Sequence, residues 1–597
     1  MCGIAGQFGK TSPDFGARAL AALEHRGPDG NGIWESEGVT LVHTRLAILD
    51  LSNGGHQPMH CPESALTIVF NGEIYNFREL RASLEQKGVG FRSHSDTEVL
   101  LRLYQKEGPA MVEKLRGMFA FAIWDGRERQ AFMARDPFGI KPLYYTTSGG
   151  TLSFASELRV LQKTGQAGSQ LNSSALMGFF ETGSVAEPQT LLNGVRCLPA
   201  GHQLCWKEGQ VEEHAHWGLH FKPVETSPQE AVRITRAALL DSVQHHFVSD
   251  VPVGIFLSGG IDSTALLALA KETGHSQLNS FSIGVDDTRL DETDLASRTA
   301  QHFGTQHHVL KLNAQLAAES FPRFLAQMDQ PSIDGFNTFT VAGFARQQGM
   351  KVVLSGLGGD ELFGGYPSFQ KVPRLAQAAR LARHVPALGA MMERFMPRQP
   401  LRRVGSLLQQ QPNLLNSWRT FRGLFTRRDA RLLAAHYANC EVSEVPDPPQ
   451  LPLPAGNELD QISACELSLY MRNQLLKDSD VMSMAHGLEL RVPLVDRTLF
   501  ETVVQIPSSL RLRAGKKLLI EAVPEIPSWV TNQAKRGFLF PYEKWLSTEW
   551  GADFAEVTSR IPNSNPTWYQ RWALFMLERW LKRTYTPDET NTHHPFS

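Results

Sequence analysis

The chain begins Met1-Cys2-Gly3-Ile4-Ala5-Gly6, and this stretch decides the fold class of its first part. Once Met1 is removed, Cys2 carries both a thiol and a free α-amine. The reference pKa of an α-amine is about 7.7–8.0 and that of a cysteine thiol is about 8.5, so near neutral pH the amine can serve as general base for the thiol. The small residues that follow let the backbone approach the nucleophile closely. The stretch therefore predicts an N-terminal cysteine nucleophile.

Polar clusters follow Cys2 where apolar strands or helices are predicted. Arg45 lies inside a strand-like segment, Asn71-Gly72-Glu73 follows the apolar run Leu66–Val69, and Asp96 opens a helical pattern. Taken singly, these have structural explanations as an edge arginine, a hairpin turn and a helix N-cap. Together with Cys2 they favour a functional site.

The first roughly 200 residues resemble the class II glutamine amidotransferase domain, an N-terminal-nucleophile fold, and the match includes Arg135–Tyr144. The resemblance implies that Cys2 attacks the side-chain amide of glutamine and releases ammonia. Asn71 and Gly72 would form the oxyanion hole, where loss of one donor typically costs about 10²–10³ in rate. The glutamine-binding residues that it implies are Arg45 for the α-carboxylate, Asp96 for the α-ammonium, and Leu46, Ala47, Ile48, Leu49, Asn71, Gly72 and Glu73.

The composition indicates a protein of two or three folded domains, since the chain has 597 residues of which 42% are hydrophobic. The net charge of −2 and the isoelectric point of about 6.9 give no global basic field, so we expect neither nucleic acid nor a membrane as partner. The six cysteines show neither metal-ligand spacing nor a dense disulfide framework, which favours a reducing cytoplasmic location. We also expect no signal peptide and no membrane span.

Short strands punctuated by glycine dominate residues 1–205, with helical patterns around 78–87 and 97–116. This pattern favours a layered α/β sandwich of antiparallel sheets, which the resemblance specifies as the αββα sandwich of N-terminal-nucleophile proteins. Residues 206–228 are polar and irregular, and we predict a linker there.

From residue 229, helical patterns alternate with short apolar strands at Val251–Leu257, Leu278–Val285 and Lys351–Leu354. Such alternation is typical of a doubly wound parallel sheet. We predict that this second domain covers residues 229–583 and ends in a helical part. A loose tail is expected at 584–597.

Two glycine-rich loops follow predicted strands of the second domain. The first is Ser258-Gly259-Gly260-Ile261-Asp262-Ser263, and a helix follows it, so its backbone N–H groups can bind an anion. The second, Ser355-Gly356-Leu357-Gly358-Gly359-Asp360, follows the strand Val352–Leu354. Ligands bind at the carboxyl ends of strands in open α/β sheets, and two aspartates there suit Mg²⁺.

The first loop resembles the pyrophosphate loop of ATP pyrophosphatases. An amidotransferase domain followed by such a domain resembles the glutamine-hydrolysing asparagine synthetase family over nearly the whole chain up to about residue 545. The ATP-binding residues that this resemblance implies are Leu257, Ser258, Gly259, Gly260, Asp262, Ser263, Ile283, Ser355 and Gly356. Asp262 and Asp360 would hold magnesium, and Lys535 would stabilise charge on the phosphates or the intermediate. Residues 483–496 also resemble the family, and we interpret them as a packed helix and strand.

The resemblance further implies the cofactors ATP and Mg²⁺ and the substrates glutamine, ATP and aspartate. An aspartate carboxylate would attack the α-phosphorus of ATP, giving an acyl-adenylate and pyrophosphate. Ammonia from the first domain would then displace AMP and give asparagine. The resemblance also implies a homodimer, which is the usual assembly of this family.

The chain departs from the family pattern near the acceptor. Asparagine synthetases generally have a glutamate at the position of Leu357 and a basic residue at the position of Val481. One alternative is therefore a paralogue that amidates another carboxylate, on a natural product or a cell-surface sugar acid. A cyclase that uses no ammonia is a second alternative, against which the intact set of Cys2, Arg45, Asn71 and Asp96 argues. A non-catalytic scaffold is a third, and the retention of both sites argues against it.

Overall fold

The computed structural model of the chain describes residues 2–287, 289–382, 386–533, 540–548, 551–562 and 565–585. Two antiparallel sheets of six strands each form the first part, and a five-stranded parallel sheet forms the centre of the second. Within these residues, none of the helices combines the length and the hydropathy that spanning a bilayer requires.

The first part contains twelve strands and five helices. The strands are β1 (Cys2–Phe8), β2 (Gly30–Ser36), β3 (Val39–Arg45), β4 (Met59–Cys61), β5 (Leu66–Ile74), β6 (Gly117–Asp125), β7 (Gln130–Arg135), β8 (Tyr144–Ser148), β9 (Thr151–Ala155), β10 (Val195–Cys197), β11 (His202–Lys207) and β12 (Gln210–Ala215). The helices are α1 (Phe15–Leu23), α2 (Phe77–Gln86), α3 (Asp96–Glu107), α4 (Leu158–Lys163) and α5 (Ser173–Thr182). One sheet has the order β10-β8-β9-β1-β3-β2 and the other β12-β11-β7-β6-β5-β4.

The two sheets pack face to face, because successive side chains of a strand point to opposite faces and both faces are apolar here. Strands β1 and β3 contact β5 across the sheets, and Ile4, Phe8, Val69 and Trp124 belong to the core that both sheets share. Helix α1 packs on β1 and β3, while α3 packs on β5 from the opposite side. The predicted αββα sandwich is confirmed.

The second part surrounds its parallel sheet with helices. Its strands are β13 (Val253–Phe256), β14 (Asn279–Val285), β15 (Gln306–Leu312), β16 (Val352–Leu354) and β17 (Glu489–Arg491). Its helices are α6 (Pro228–His246), α7 (Ile261–Glu272), α8 (Thr293–Phe303), α9 (Ala314–Gln327), α10 (Phe336–Gln347), α11 (Gly359–Phe363), α12 (Ser368–Ala382), α13 (Pro386–Phe395), α14 (Gln399–Leu407), α15 (Leu414–Arg422), α16 (Arg427–Ala438), α17 (Glu458–Cys465), α18 (Lys477–Met484), α19 (Arg497–Val503), α20 (Ser508–Arg511), α21 (Lys517–Ala522), α22 (Ser528–Thr531), α23 (Tyr542–Thr548), α24 (Gly551–Thr558) and α25 (Trp568–Tyr585).

The strand order β15-β14-β13-β16-β17 reverses direction between β13 and β16, and every neighbouring pair is parallel. The predicted doubly wound sheet with a helical C-terminal part is thereby confirmed. A reversal of strand order opens a crevice at the carboxyl ends of the two strands. Both glycine-rich loops begin at this crevice, since Ser258 follows β13 and Ser355 follows β16.

The polar stretch predicted as a linker, residues 206–228, begins inside β11 and contains all of β12. Strand β12 pairs with β11 from His202–Ala215 to Lys207–Gln210, so residues 206–215 belong to the second antiparallel sheet. Most side chains of β12 are exposed because it is the edge strand of that sheet, which explains the polarity of this segment.

Candidate active sites

Cys2 is the first residue of β1 and lies opposite Arg45 in the pairing of β1 with β3. The side chain is buried, and burial raises the pKa of the Cys2 thiol. The Cys2 nitrogen donates a hydrogen bond to Asn71 Oδ1 at 3.0 Å. A thiol with a raised pKa needs a base beside it, and an α-amine at this nitrogen would be that base within the same residue.

Asn71 and Gly72 lie inside β5, next to the nucleophile, and not in a hairpin turn. Asn71 Nδ2 is buried and has no hydrogen-bond partner among the described residues, so it is available to a developing oxyanion. Gly72 has a φ of +154°, and a Cβ there would lie 2.1 Å from the carbonyl oxygen of Met118. Only glycine therefore fits at this position, where β5 lies against the backbone of β6.

The Arg45 guanidinium is fixed by the loop that follows β3. Its Nη1 donates to the carbonyl oxygen of Ser52 at 2.9 Å and its Nη2 to that of Asp50 at 2.5 Å. The intervening residues 46–49, all predicted to bind glutamine, are buried. The loop therefore forms a wall that begins beside Cys2 and orients a cation for a carboxylate ligand.

Two buried carboxyl groups, Glu73 and Asp96, lie at the same end of β5 as Asn71 and Gly72. Asp96 is the first residue of α3, and its Oδ2 accepts a hydrogen bond from the Ile74 N–H at 3.1 Å. Burial raises the pKa of Asp96 to about 6, and burial together with Glu489 raises the pKa of Glu73 well above its usual range. Glu73 Oε2 has no hydrogen-bond partner among the described residues. A ligand with an ammonium group would stabilise the ionised form of both carboxyl groups.

The structure therefore brings the predicted glutamine-site residues together. Arg26 also lies at this site, although the sequence pattern did not predict a role for it there. Its Nε donates to the Cys2 carbonyl oxygen at 3.1 Å, and its Nη1 donates to Glu157 at 2.9 Å. Its Nη2 donates at 2.8 Å to Asp480, which lies in the second domain. The only sequence signal was the polar, turn-rich run of residues 25–30, in which Arg26 has no distinguishing feature.

A cavity of about 860 Å³ lies at the carboxyl ends of β13, β14 and β16. The predicted ATP-binding residues that line it are Leu257, Ser258, Gly260, Asp262, Ser263, Ile283, Ser355 and Gly356. Gly259 is not among the lining residues, and its φ of +73° turns the backbone toward the start of α7. A cavity of this size is within the usual range for a nucleotide-sized ligand, about 300–1,000 Å³.

The ammonium group of Lys516 lies between Asp262 and Asp360 and contacts both carboxylates. The ammonium lies 2.6 Å from Asp360 Oδ1 and also contacts Asp262 Oδ2. Although burial opposes the charge, the two aspartates raise the pKa of Lys516. Carboxylates close enough to share one ammonium are close enough to share one divalent ion, and Mg²⁺ typically takes one or two protein carboxylates plus phosphate oxygens. The donor set therefore fits magnesium brought with phosphates, and the described residues contain no cluster of three or more acidic, His or Cys ligands.

Lys516 was missed by sequence reasoning, because a lysine between Gly515 and Lys517 carries no recognisable pattern. Lys535, which we predicted to be catalytic, lies outside the described residues. Val481 is buried in the hydrophobic core and is not among the residues that line the cavity.

Leu357 lines the cavity together with aromatic and basic side chains from the helical part, including Arg403 and Trp418. Arg403 Nε and Trp418 Nε1 are buried and have no hydrogen-bond partner among the described residues. Burial lowers the pKa of Arg403. The cavity lining therefore includes an apolar side chain and two donors that have no hydrogen-bond partner among the described residues.

Comparison with known proteins matches both parts of the chain. The family model for a glutamine amidotransferase domain covers residues 1–217, and the model for asparagine synthase covers residues 235–582. The glutamine-hydrolyzing asparagine synthetase 1 of Bacillus subtilis is 34% identical, over 92% of this chain and 88% of its own. A putative glutamine-hydrolyzing asparagine synthetase of Mycobacterium bovis is 33% identical, over 91% and 86%. The amidase chry2 of Gibberella zeae is 28% identical, over 88% and 85%.

The order and coverage of these matches agree with the two sites in the structure. The chain belongs to the asparagine synthase family of ATP-dependent ligases that carry a glutamine amidotransferase domain.

Proposed function

We propose that the chain hydrolyses glutamine at Cys2 and uses the ammonia and ATP to convert aspartate to asparagine. One observation carries the proposal. A single chain holds a buried cysteine beside an amide donor that has no hydrogen-bond partner among the described residues and, at a strand-end crevice, a cavity in which two aspartates contact Lys516.

In the first reaction, the Cys2 thiol gives its proton to the amine and its sulfur attacks the amide carbon of glutamine. The carbonyl oxygen becomes negatively charged and accepts hydrogen bonds from Asn71 Nδ2 and the Gly72 N–H. The C–N bond then breaks, and ammonia leaves with the transferred proton. Water hydrolyses the resulting thioester and releases glutamate.

In the second reaction, a carboxylate oxygen of aspartate attacks the α-phosphorus of ATP. The bond between this phosphorus and the oxygen that bridges the α- and β-phosphates breaks. The N–H groups of the loop at the start of α7 and the Lys516 ammonium stabilise the departing pyrophosphate. Mg²⁺ held by Asp262 and Asp360 would neutralise phosphate charge when bound. We assign the same role to Lys535. Ammonia then attacks the activated carbonyl carbon, AMP leaves, and asparagine forms.

A second candidate function is amidation of a larger carboxylate. Leu357 supports it, because leucine offers neither a proton nor a charge where the family generally has glutamate. Arg403 Nε and Trp418 Nε1, which have no hydrogen-bond partner among the described residues, would donate to extra groups of such an acceptor. A relative that is named an amidase fits the same possibility.

The experiment is product analysis by mass spectrometry with glutamine, Mg-ATP and aspartate, using the wild type and Cys2→Ala. We expect asparagine, AMP and pyrophosphate in equal amounts from the wild type. Cys2→Ala should lose the glutamine-dependent reaction and regain synthesis with ammonium. Glutamate without AMP or asparagine would reject aspartate as the acceptor and favour the second candidate, which a panel of larger carboxylates then tests. Absence of glutamate under all conditions would reject the proposal as a whole.

A further inference from the structure

The surface around helices α13 and α14 carries a concentration of exposed apolar side chains. In the described part of the chain, eleven large hydrophobic residues are exposed, and five of them fall between residues 381 and 401. These five are Leu381, Leu388, Met391, Phe395 and Leu401. Leu381 is 83% exposed and Phe395 is 70% exposed. Single exposed apolar residues need no explanation, whereas a cluster of them marks an interaction surface.

Helix α13 shows how this cluster arises. Leu388, Met391 and Phe395 are three and four residues apart, so they lie on one face of the helix. A different face packs on α14, where a Cβ on Gly389 would lie 2.8 Å from the Gly405 carbonyl oxygen. An amphipathic helix of a globular protein normally turns its apolar stripe toward the core. In α13 this stripe is turned outward instead.

The charge beside this face is strongly basic. Residues 371–403 contain eight lysines and arginines and one acidic residue, Glu393, which is buried. Arg394 and Arg398 are exposed, and neither forms an ion pair with any residue that the structure describes. The Arg394 guanidinium lies 5.6 Å from the centre of the Phe395 ring. We expected no membrane partner because the net charge of the whole chain is −2, but that value averages over this local excess.

The combination of charge and shape favours a lipid surface with anionic headgroups over a protein. Neither the 860 Å³ cavity nor the smaller one around Arg135 is lined by a residue of α13, so these cavities give a peptide no groove at this face. Two copies that met across a two-fold axis would bring Arg394 and Arg398 against their own counterparts, which like-charge repulsion opposes. Headgroup phosphates, by contrast, are good acceptors for arginine.

We propose that the outward face of α13, together with Leu381 and Leu401, docks the protein on a membrane surface that carries anionic headgroups. The apolar side chains enter the boundary between headgroups and acyl chains, and Arg394 and Arg398 contact phosphates. A helix of ten residues is about 15 Å long, half of the roughly 30 Å hydrocarbon core, so α13 lies in the plane of the surface. The proposal does not depend on the proposed function.

The test is co-sedimentation of the full chain with lipid vesicles. One set of vesicles contains phosphatidylcholine alone, and the other contains phosphatidylcholine mixed with phosphatidylglycerol. We expect the partition coefficient to be at least about tenfold higher for the anionic set, and the difference to shrink at high salt. Arg394→Gln combined with Arg398→Gln should lower partition onto anionic vesicles about thirtyfold, which corresponds to about 1 kcal/mol for each charge.

The charge control is Arg18→Gln combined with Arg233→Gln. Both arginines are exposed and lie on other helices, α1 and α6, so the pair of substitutions changes the net charge by the same amount. It should leave partition onto anionic vesicles within about twofold of the wild type, because a charge more than a Debye length from the surface is largely screened.

Leu388→Ser tests the apolar contribution, and Leu316→Ser is its matched control. The two leucines are 42% and 41% exposed, but Leu316 lies on α9, outside the cluster. Leu388→Ser should lower partition onto anionic vesicles several-fold, since membrane binding scales with the apolar area that is buried. Leu316→Ser should bind as the wild type does. Thermal midpoints close to that of the wild type show that the variants fold.

Several results would overturn the proposal. One is that the wild type sediments with neither set of vesicles, and another is that it binds both sets equally. Binding that survives both Leu388→Ser and the Arg394→Gln, Arg398→Gln pair would place the contact on another surface. Sedimentation velocity without lipid is the second measurement. A wild-type dimer that Phe395→Ser converts to a monomer would show that this face joins two copies of the chain.

Discussion

At the scale of single residues, Asp96 links the glutamine site to the pH dependence of stability. Burial raises its pKa from the ordinary 3.8 to about 6, so between these values the folded protein keeps a proton that the unfolded chain has released. Stability is therefore lost as the pH rises from about 4 through 6. A shift of about two units corresponds to roughly 3 kcal/mol of unfolding free energy.

Asp96→Asn should remove this loss. The midpoint of thermal unfolding, measured from pH 4 to 8, should move above that of the wild type as the pH rises through about 6 and then keep a constant lead. Glutamine hydrolysis should fall because the partner of the ammonium group is gone. Asp14→Asn, at an exposed carboxyl group, is the control. A difference between Asp96→Asn and the wild type that is the same at every pH would contradict this account.

The sequence predicted the site residues whose type is unusual for their surroundings, such as a cysteine at position 2 or an aspartate in a glycine loop. It did not predict Arg26 or Lys516, whose partners Asp480 and Asp262 are 454 and 254 residues away. Arginine and lysine are common in loops, and only the folded chain shows that these two are buried among carboxylates. Their roles depend on carboxylates that are distant in the sequence and close in the folded chain, so a local sequence pattern does not reveal them.

At the scale of elements, strand β5 shows tertiary structure overriding a local signal. Asn-Gly is the strongest short hairpin signal, yet residues 71–72 continue as a strand because β6 pairs with β5 along its whole length, from Leu66 to Ile74. The alternation of strands and helices predicted the parallel sheet well, since it depends on long periodic segments. The start of the linker was wrong because an exposed edge strand has the polarity of a loop.

Gly72→Ala tests the close packing of β5. The added Cβ would lie 2.1 Å from the Met118 carbonyl oxygen and would require a φ of +154°, so the backbone must move. We expect a cost in unfolding free energy above the roughly 1–3 kcal/mol typical of a strained backbone position, and loss of glutaminase activity.

Gly88→Ala is the matched control, because Gly88 also has a positive φ, 79°, but a Cβ there meets no atom within 4 Å. Gly88→Ala should lower the unfolding free energy only by the cost of the strained backbone conformation, and it should leave glutaminase activity intact. Thermal unfolding and glutamate release measure both variants. Equal effects of the two substitutions would show that the contact with Met118 is unimportant.

At the scale of the whole molecule, buried ion pairs connect the two domains. Asp480 of α18 accepts hydrogen bonds from Arg26 at 2.8 Å and from Lys141 at 3.3 Å, both in the first domain. Breaking a buried ion pair typically costs about 3–5 kcal/mol, because a charge loses its partner. Asp480→Asn should therefore lower the thermal midpoint, and it should reduce glutamine hydrolysis because Arg26 also holds the Cys2 carbonyl oxygen.

The comparison is with Asp447→Asn, which removes a half-exposed carboxylate paired with Arg427 and Arg431. Exposed pairs contribute about 0–1 kcal/mol, so this variant should unfold near the wild-type temperature and hydrolyse glutamine normally. Equal midpoints for the two variants would show that the pair between the domains is not a stabilising contact.

The interface between the domains also determines what would happen if the chain were expressed as two separate polypeptides. A break between residues 216 and 227 would fall outside every strand and helix and would leave each half with its complete sheets. Each half would, however, expose residues that are buried between the domains. These are Leu46, Ile48 and Arg26 in the first half and Val352 and Asp480 in the second. We therefore expect two separately expressed polypeptides to be prone to aggregation and to need reassembly before they carry out the two proposed reactions.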